Sequence, residues 1–452
     1  MPHRYSHLHV VICSLVVILA VPIYVQAQSP LVSALTPSSG SVGMQLTITG
    51  EDLGATQGTS SITFNGTTAA VNSWSATSIS ATVPSGATTG NVVVTVGGTA
   101  SNGSAFSVYA GYTSGYQYRQ TIVLGHANVP NTDQTDFPVL ISGVYSYLAT
   151  VANGGLIESA NGYDIIFSQD PEAATQLDYE VDGYDPTTGT AAFWVRIPTL
   201  SHTVDTIIYL FYGNPNVATS QQNLAGVWRN NYLSVYHLGN GTTVGLTDSG
   251  SAGYTLSGSA SAVAGKIGGG VSFNGNAGTY LYNDSLPAYP SGDSPVTLET
   301  WLQLGSSGDA GDILGYGANS ATGSRDALYW GGGNAYIEFE SQSIGGPMPF
   351  DNNWHHLVGV YGGGALSTSA DQIYLDGASI ATTATGGTPA IISTEFKIGG
   401  IPTVTFCCAW NGSVDEVRVS SGVRTGDWVA TEYANESSPS TFYAVEGQAT
   451  PN

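Results

Sequence analysis

Short runs of alternating apolar and polar residues, each followed by a turn signal, recur along the whole chain after residue 27. Ser61-Ile62-Thr63-Phe64 leads into Asn65-Gly66, and Ile373-Tyr374-Leu375 leads into Asp376-Gly377. Such dipeptides favour tight hairpin turns between antiparallel strands. Beyond residue 27, no long segment shows apolar residues at helical spacing. The sequence therefore predicts an all-β protein, with many of its 59 glycines in turns and at strand ends.

The charge balance restricts the partners that this chain can have. Its 452 residues include 9 Lys and Arg against 32 Asp and Glu, a formal net charge of −23. An acidic surface of this kind repels phosphate backbones, so we expect no nucleic-acid partner. Apolar residues make up 42% of the chain, which is enough to fill several cores. The length predicts two to four domains.

The first 27 residues have the features of a secretory signal peptide. Arg4 precedes an apolar run from Val10 to Val25, and Val25-Gln26-Ala27 offers small residues at a cleavage site. A membrane anchor is the alternative, but the run is short and lacks a basic flank. We expect cleavage after Ala27, no membrane insertion afterwards, and a secreted or cell-surface protein.

Cysteine usage predicts no disulfide framework. Once Cys13 leaves with the signal peptide, Cys407 and Cys408 remain, and they are adjacent. Neighbouring Cα atoms lie about 3.8 Å apart, below the usual disulfide range. The two cysteines either form a strained vicinal disulfide or point as thiols to opposite faces of a strand.

Residues 30–109 form the first predicted module, an immunoglobulin-like β-sandwich. Pro37-Ser38-Ser39-Gly40, Ile48-Thr49-Gly50 and the strand Gly90 to Val96 follow one another in the order typical of IPT/TIG domains, which this segment resembles. In that family, such modules of bacterial exoproteins act as spacers or contact modules. The segment contains no Lys or Arg, so the DNA-binding role of some relatives is not expected.

Residues 115–225 form a second predicted β domain. Strands at Tyr163 to Phe167, Ala192 to Pro198 and Thr206 to Tyr212, closed by Gly213-Asn214, resemble the DUF2341 family of bacterial surface proteins. That resemblance implies no activity.

Residues 227–449 form the third predicted module. The strand Trp354 to Tyr361, the hairpin Tyr374-Leu375-Asp376-Gly377 and the strand Gly412 to Val419 resemble, in this order, the LamG-like jelly rolls of the concanavalin A-like superfamily. The resemblance implies two packed antiparallel sheets and a binding role. We therefore expect a polysaccharide or a surface glycan as the partner; the oligomeric state stays open.

Aromatic residues provide the candidate ligand site. Tyr329, Trp330 and Tyr336 flank the Gly-rich turn 331–334 and are placed to stack on sugar rings. The alternative is that they pack in the sandwich core, which we expect for Trp301, Trp354 and Trp428.

Two carboxylates provide an enzymatic alternative. Glu338 and Glu340 alternate along one predicted strand and would share a face about 7 Å apart. Retaining glycosidases need a carboxylate pair about 5–5.5 Å apart. The fuller acidic string of jelly-roll glucanases is missing here, so we expect a protein without catalytic activity.

Metal sites have weak signals. Asn274, Asp284 and Asp415 are candidates for a structural calcium ion, which needs six to eight oxygen ligands. A solvated Asp415, or one paired with Arg418, is the alternative. His355 and His356 are adjacent on a strand and cannot chelate one ion together. No cysteine or histidine spacing typical of a zinc motif follows the signal segment.

The sequence as a whole thus predicts a secreted or cell-surface binding and adhesion protein that holds carbohydrate through its jelly roll. A structural surface module without a sugar site, and a glycosidase using Glu338 and Glu340, are the alternatives.

Overall fold

The computed structural model describes residues 29–36, 38–42, 45–109, 115–285, 289–305, 310–402 and 409–448. The predicted signal segment 1–27 and the pair Cys407 and Cys408 lie outside these residues. Residue contacts divide the chain into two compact units, the first ending at Ser107 and the second running from Val108 onwards together with Ser39–Gln45. The two units are described separately.

Ten strands lie between residues 31 and 109, and all are short, as predicted. They are β1 (Leu31–Thr36), β2 (Ser39–Ser41), β3 (Gln45–Glu51), β4 (Ser61–Phe64), β5 (Thr67–Thr68), β6 (Ala70–Trp74), β7 (Ser78–Thr82), β8 (Gly90–Val96), β9 (Thr99–Ala100) and β10 (Ser104–Tyr109). One sheet has the order β1-β3-β7-β6, and the other contains β10-β8-β4-β5 with β9 beside β8. Alternate residues such as Leu46, Ile48 and Ile79 fill the core between them.

The second unit begins with a smaller sandwich. Its strands are β11 (Tyr118–Leu124), β12 (Gln134–Val144), β13 (Ile165–Ser168), β14 (Tyr179–Asp185), β15 (Thr190–Leu200) and β16 (Thr206–Tyr212). Three 3-10 turns, His126–Asn128, Ser146–Leu148 and Val151–Asn153, and the short helix α1 (Leu224–Val227) connect them. One of the two sheets has the order β12-β15-β14.

The jelly roll follows in the same unit and consists of two larger sheets. Its strands are β17 (Tyr232–Tyr236), β18 (Ser257–Gly258), β19 (Ser261–Ala264), β20 (Gly269–Asn274), β21 (Leu281–Asn283), β22 (Val296–Leu304), β23 (Gly311–Gly317), β24 (Arg325–Gly331), β25 (Asn334–Glu338), β26 (Ser343–Pro347), β27 (Trp354–Tyr361), β28 (Gln372–Leu375), β29 (Ala378–Ser379), β30 (Thr383–Thr385), β31 (Glu395–Ile398) and β32 (Asn411–Ser420). The first sheet has the order β19-β20-β32-β22-β27-β28-β29, with β17 also paired to β32. The second has the order β18-β21-β31-β23-β24-β25-β26-β30.

The C-terminal segment returns to the smaller sandwich. Helix α2 (Gly426–Ser437), helix α3 (Pro439–Phe442) and strand β33 (Tyr443–Val445) end the described chain. β33 pairs with β11, which completes the order β13-β16-β11-β33. Strand β33, which lies in the range assigned to the jelly roll from the sequence, is therefore part of a sheet of the preceding module.

Helix α2 is the main departure from the predicted strands, although the all-β class is confirmed. Thr425 caps its N-terminus by accepting a hydrogen bond from the backbone N–H of Trp428. Trp301 and Trp428 lie in cores as predicted, whereas Trp354 is half-buried at the start of β27, so the core prediction for it is wrong. Among the described residues, no helix is both long and apolar enough to cross a membrane.

Candidate functional site

The predicted aromatic site is divided between the two faces of the second jelly-roll sheet. Trp330 is 1% exposed, and its indole N–H donates to the Met348 carbonyl oxygen at 3.0 Å. Trp330 is therefore a core residue, which corrects its assignment as a ligand-binding residue. Tyr329 and Tyr336 pair across β24 and β25 on the opposite face and are half-buried.

This opposite face, which we call the outer face, has two neighbouring tyrosine rings, tilted by 45° to each other, next to a glycine. The rings of Tyr329 and Tyr336 lie 5.9 Å apart between centroids. Gly345 is the cross-strand partner of Tyr336 on β26. A Cβ atom at Gly345 would approach the Tyr336 ring to 2.3 Å, so the ring lies directly against the backbone of β26. The absence of a side chain at residue 345 thus lets Tyr336 lie along the sheet.

The predicted carboxylate pair contacts an arginine instead of facing a free site. Glu338 is the last residue of β25, and Glu340 lies beyond the strand with a φ of 45°. The prediction that both lie on one strand is therefore wrong. Arg325 forms an ion pair with Glu338, donates to it through Nε at 2.7 Å, and holds Glu340 at 3.4 Å through Nη1.

Asp312 is a third carboxylate beside Arg325, and the sequence analysis missed it. It lies on β23 opposite Tyr329, is fully buried, and is 3.7 Å from the Arg325 guanidinium. Burial raises the pKa of Asp312 to about 7, although Arg325 lowers it in part. Three carboxylates thus share the guanidinium of Arg325.

The three calcium candidates do not converge. Asn274 ends β20 opposite Asn411, and its side chain accepts from Asn276 and Thr279 within its own turn. Asp415 lies four residues further along β32, about 13 Å away at the usual rise per residue. Asp284 is exposed and follows β21 in the other sheet.

Asp415 has protein partners instead of solvent. It is fully buried and accepts hydrogen bonds from the backbone N–H groups of Ile267 and Glu416. Burial raises its pKa well above the usual value, and Glu416 raises it further. The predicted calcium site is therefore not assembled from these three residues, and the predicted alternative of a solvated Asp415 is also wrong.

The two adjacent histidines separate as predicted. His355 forms hydrogen bonds to Asp376 at 2.7 Å and to Asp351 at 2.9 Å. His356 is fully buried, and its Nε2 lies 3.3 Å from Glu299.

A cavity of about 310 Å³, which we call the junction cavity, opens within the second unit where the smaller sandwich meets the jelly roll. Its polar lining comes from both modules: Glu180 and Asp182 of β14, His237 after β17, and Asn240, Thr243 and Ser249 of the following loops. Gly239 has a φ of 131°, and a Cβ atom there would lie 2.1 Å from the Thr243 carbonyl oxygen. The tight turn that forms one wall therefore needs glycine at this position.

His237 is held between two carboxylates. Its Nδ1 lies 2.9 and 3.0 Å from the two oxygens of Glu416, and its Nε2 lies 3.3 Å from Glu180. Trp228 donates to Glu180 at 2.6 Å, and Ser249 donates to its other oxygen at 2.5 Å. Burial lowers the pKa of His237, but Glu416, Asp182 and Glu180 outweigh it and place the pKa well above the usual value.

Arg418 joins this group to a second buried layer. It donates to Glu416 at 2.9 Å and to Glu436 at 2.7 Å, and it forms an ion pair with Glu299. Its guanidinium lies over the Trp194 and Trp228 rings of the smaller sandwich, 4.7 and 5.4 Å from their centroids. The two modules of the second unit thus share one buried ionic network.

Sequence reasoning missed the residues of this network as a site. His237 is separated along the chain from Glu180 by 57 residues and from Glu416 by 179. No local motif connects positions so far apart, and the adjacent pair Asp415-Glu416 gives no sign of what each residue faces.

Three segments of the chain match known families. Residues 30–108 match the IPT/TIG domain, residues 161–233 match the domain of unknown function DUF2341, and residues 274–430 match the concanavalin A-like lectin/glucanases superfamily. The three resemblances inferred from the sequence are thus confirmed, in the same order along the chain. No curated protein matches the chain.

Three similar solved structures each match under half of the chain. Domain 4 of AbnA, an extracellular arabinanase from Geobacillus stearothermophilus in complex with arabinotriose, is 19% identical over 45% of this chain and 98% of its own, with a TM-score of 0.34. The receptor-binding domain of botulinum neurotoxin type G is 12% identical over 45% of this chain and 51% of its own, with a TM-score of 0.34. The binding domain of botulinum neurotoxin DC in complex with SialylT is 9% identical over 46% and 52%, with a TM-score of 0.35. The chain spans about half the length of these toxin domains.

Proposed function

We propose that this chain is a secreted or cell-surface binding protein, without catalytic activity, that holds a polysaccharide or surface glycan on the outer face of its jelly roll. The observation that supports this most is the half-buried pair Tyr329 and Tyr336, with the Tyr336 ring lying along the sheet against Gly345. A ring in this position offers a flat apolar surface with a polar tip, which suits the apolar faces and hydroxyl groups of a sugar.

Neighbouring polar groups supply directional contacts for such a ligand. Glu338 lies two residues from Tyr336 on the same face of β25, and its cross-strand neighbour on β26 is Ser343. Carboxylate and hydroxyl oxygens at this spacing accept and donate hydrogen bonds next to the aromatic surface.

The contacts of Arg325 support binding in preference to hydrolysis. A glycosidase needs one carboxylic acid that gives up a proton and one free carboxylate on the other side of the glycosidic bond. Here one guanidinium contacts Glu338, Glu340 and Asp312 together. Both predicted acids are therefore held by Arg325, and neither is placed as a free carboxylate across a glycosidic bond.

A glycan array with the mature chain tests the proposal, followed by calorimetry on the polysaccharide that gives the strongest signal. We expect Tyr336→Ala to lower the affinity at least about tenfold, a loss of about 1.4 kcal/mol. Tyr163→Ala, a half-buried tyrosine of the smaller sandwich, serves as the matched control and should keep wild-type affinity. A folded wild type that binds no glycan, or equal losses in both variants, would overturn the proposed site.

A hydrolysis screen tests the absence of catalysis. The mature chain is incubated with α- and β-linked glucans, arabinans and xylans beside a Glu338→Gln variant. We expect no release of reducing sugar from either protein. Turnover by the wild type that is lost in Glu338→Gln would show a glycosidase instead.

A further inference from the structure

Two β-bulges direct carboxylates toward His237. On β14 the register with β15 shifts between Val181 and Gly183, which makes Asp182 the extra residue. On β32 the register with β22 shifts between Asp415 and Arg418, and Glu416 has a φ of 50°. Bulges change the direction of a side chain and are frequent beside functional sites.

The three side chains so assembled have metal-ligand geometry. One ring nitrogen of His237 and one oxygen each of Asp182 and Glu416 all lie within 4.8 Å of one another. Bonds of about 2.0–2.2 Å to zinc place neighbouring ligand atoms about 3 Å apart, so small side-chain shifts suffice. The contacts of 2.9 and 3.0 Å between His237 Nδ1 and Glu416 already have this length.

Asp182 supplies an independent observation. Its Oδ2 atom is buried and has no hydrogen-bond partner among the described residues, while the residue lines the junction cavity. A buried carboxylate oxygen without a partner is destabilising, because it has lost its hydration without gaining a hydrogen bond. A cation at this place would give that oxygen its missing partner.

Glu180 completes the arrangement from the other side of the ring. In the metal-free protein, His237 Nδ1 shares a proton with Glu416; a bound metal would replace that proton while Nε2–H stays donated to Glu180. Trp228 and Ser249 fix Glu180 in place. Metal-bound histidines commonly donate their second N–H to such a carboxylate, which sets the tautomer and the ring orientation.

The charges also fit a dication. Glu180, Asp182 and Glu416 bring three carboxylates to one imidazole, and Arg418, which contacts Glu416, also pairs with Glu299 and Glu436. A divalent ion bound to a neutral imidazole balances Asp182 and Glu416 and leaves Glu180 as the partner of the Nε2 proton.

We propose that Asp182, His237 and Glu416 form a binding site for a divalent transition metal of the zinc class at the wall of the junction cavity, with Glu180 as the positioning residue of His237. One imidazole with two carboxylates suits zinc better than calcium, which prefers oxygen ligands alone. Asp182 comes from the smaller sandwich, and the other two ligands come from the jelly roll. The metal would therefore tie the two modules of the second unit together.

Calorimetric titration of the EDTA-treated mature chain with Zn²⁺ alone tests the site. We expect one ion per chain with micromolar or tighter affinity, and weaker binding of Ca²⁺ at the same site. Changing a residue that only holds a metal ligand in place commonly costs about 10–100-fold in metal affinity, so loss of a direct ligand in Asp182→Asn or His237→Gln should cost about 100-fold or more. His126→Gln, which removes an exposed histidine paired with Asp205, is the matched control and should bind zinc as the wild type does.

Circular dichroism of each variant shows whether it is folded. Asp182→Asn should fold, because asparagine has the same shape and the replaced Oδ2 atom makes no hydrogen bond with the described residues. X-ray absorption spectroscopy at the zinc edge, measured on the zinc-loaded wild type, should show one imidazole ligand together with oxygen ligands. Millimolar binding only, undiminished affinity in Asp182→Asn, or tighter binding of Ca²⁺ than of Zn²⁺ would overturn the proposal.

Discussion

Replacing Arg418 by methionine probes the buried network most directly. Arg418 is 1% exposed and lies among Glu299, Glu416 and Glu436. Methionine keeps most of the aliphatic length and the packing on Trp194 and Trp228, but it removes all donors of the guanidinium. Four buried carboxylates, those three and Glu432, then lose their shared cation.

The expected loss of stability follows from that uncompensated charge. Removing one partner of a buried ion pair costs about 3–5 kcal/mol, because the remaining charge stays desolvated. Part of the cost is relieved when a carboxylate takes up a proton, so the energies of the four contacts do not add. We expect the free energy of unfolding of the second unit to fall by about 4 kcal/mol, and its Tm by about 5 °C for a unit of this size.

Urea denaturation and calorimetry of wild type and Arg418→Met, both treated with EDTA, measure this loss. Arg229→Met is the matched control, because Arg229 pairs with Asp136 at 2.8 Å while its side chain is 51% exposed. Exposed pairs contribute about 0–1 kcal/mol, so this variant should stay close to wild type.

A loss below about 1 kcal/mol in Arg418→Met, or one equal to that of Arg229→Met, would refute the reasoning. It would mean that the network is hydrated in solution, or that its carboxylates are protonated without cost. A separate early transition in Arg418→Met would instead support the role of Arg418 in coupling the smaller sandwich to the jelly roll.

Two further predictions follow from the geometry of the second unit. Hydrogen bonds to Asp376 and, to a smaller extent, to Asp351 raise the pKa of His355 to about 9. The stabilising contribution of the protonated His355 is therefore full below about pH 6.5 and disappears as the pH rises through 9. His355→Gln should therefore be less stable than wild type in urea at pH 6 and equal to it at pH 10; a constant difference would contradict this. Residues 115–225 expressed alone lack β33 and Trp228, so this fragment should show no cooperative unfolding, whereas residues 115–448 should unfold cooperatively. Cooperative unfolding of the short fragment would show that the smaller sandwich does not need the C-terminal strand β33.

The strands and modules were predictable because their signals are local. Alternation along β25 already indicates that Ala335 and Ile337 face inward while Tyr336 faces outward, as the structure shows. The same alternation along β24 places Trp330 and Tyr329 on opposite faces of the sheet. The prediction that both residues bind one ligand therefore conflicted with the alternation itself.

Helix α2 was missed for a physical reason. Its buried positions include Thr431, Glu432, Asn435 and Glu436, which recur at helical spacing but are polar. Each has a polar partner: Glu432 and Glu436 form ion pairs with Arg418 at 3.8 and 2.7 Å, the Asn435 side chain bonds to the Leu140 backbone, and the Thr431 hydroxyl donates to the Asp427 carbonyl oxygen. An apolar stripe, the usual sign of a packed helix, is consequently absent.

The sequence by itself determined the all-β class and the order of three modules, because turn dipeptides and alternation act between residues close along the chain. The tertiary structure alone decided which charges meet. Arg325 gathers Glu338, Glu340 and Asp312, and His237 lies between carboxylates that are 57 and 179 residues away along the chain. Long-range pairing of strands sets these contacts, and no local pattern records which distant strand a given residue will face.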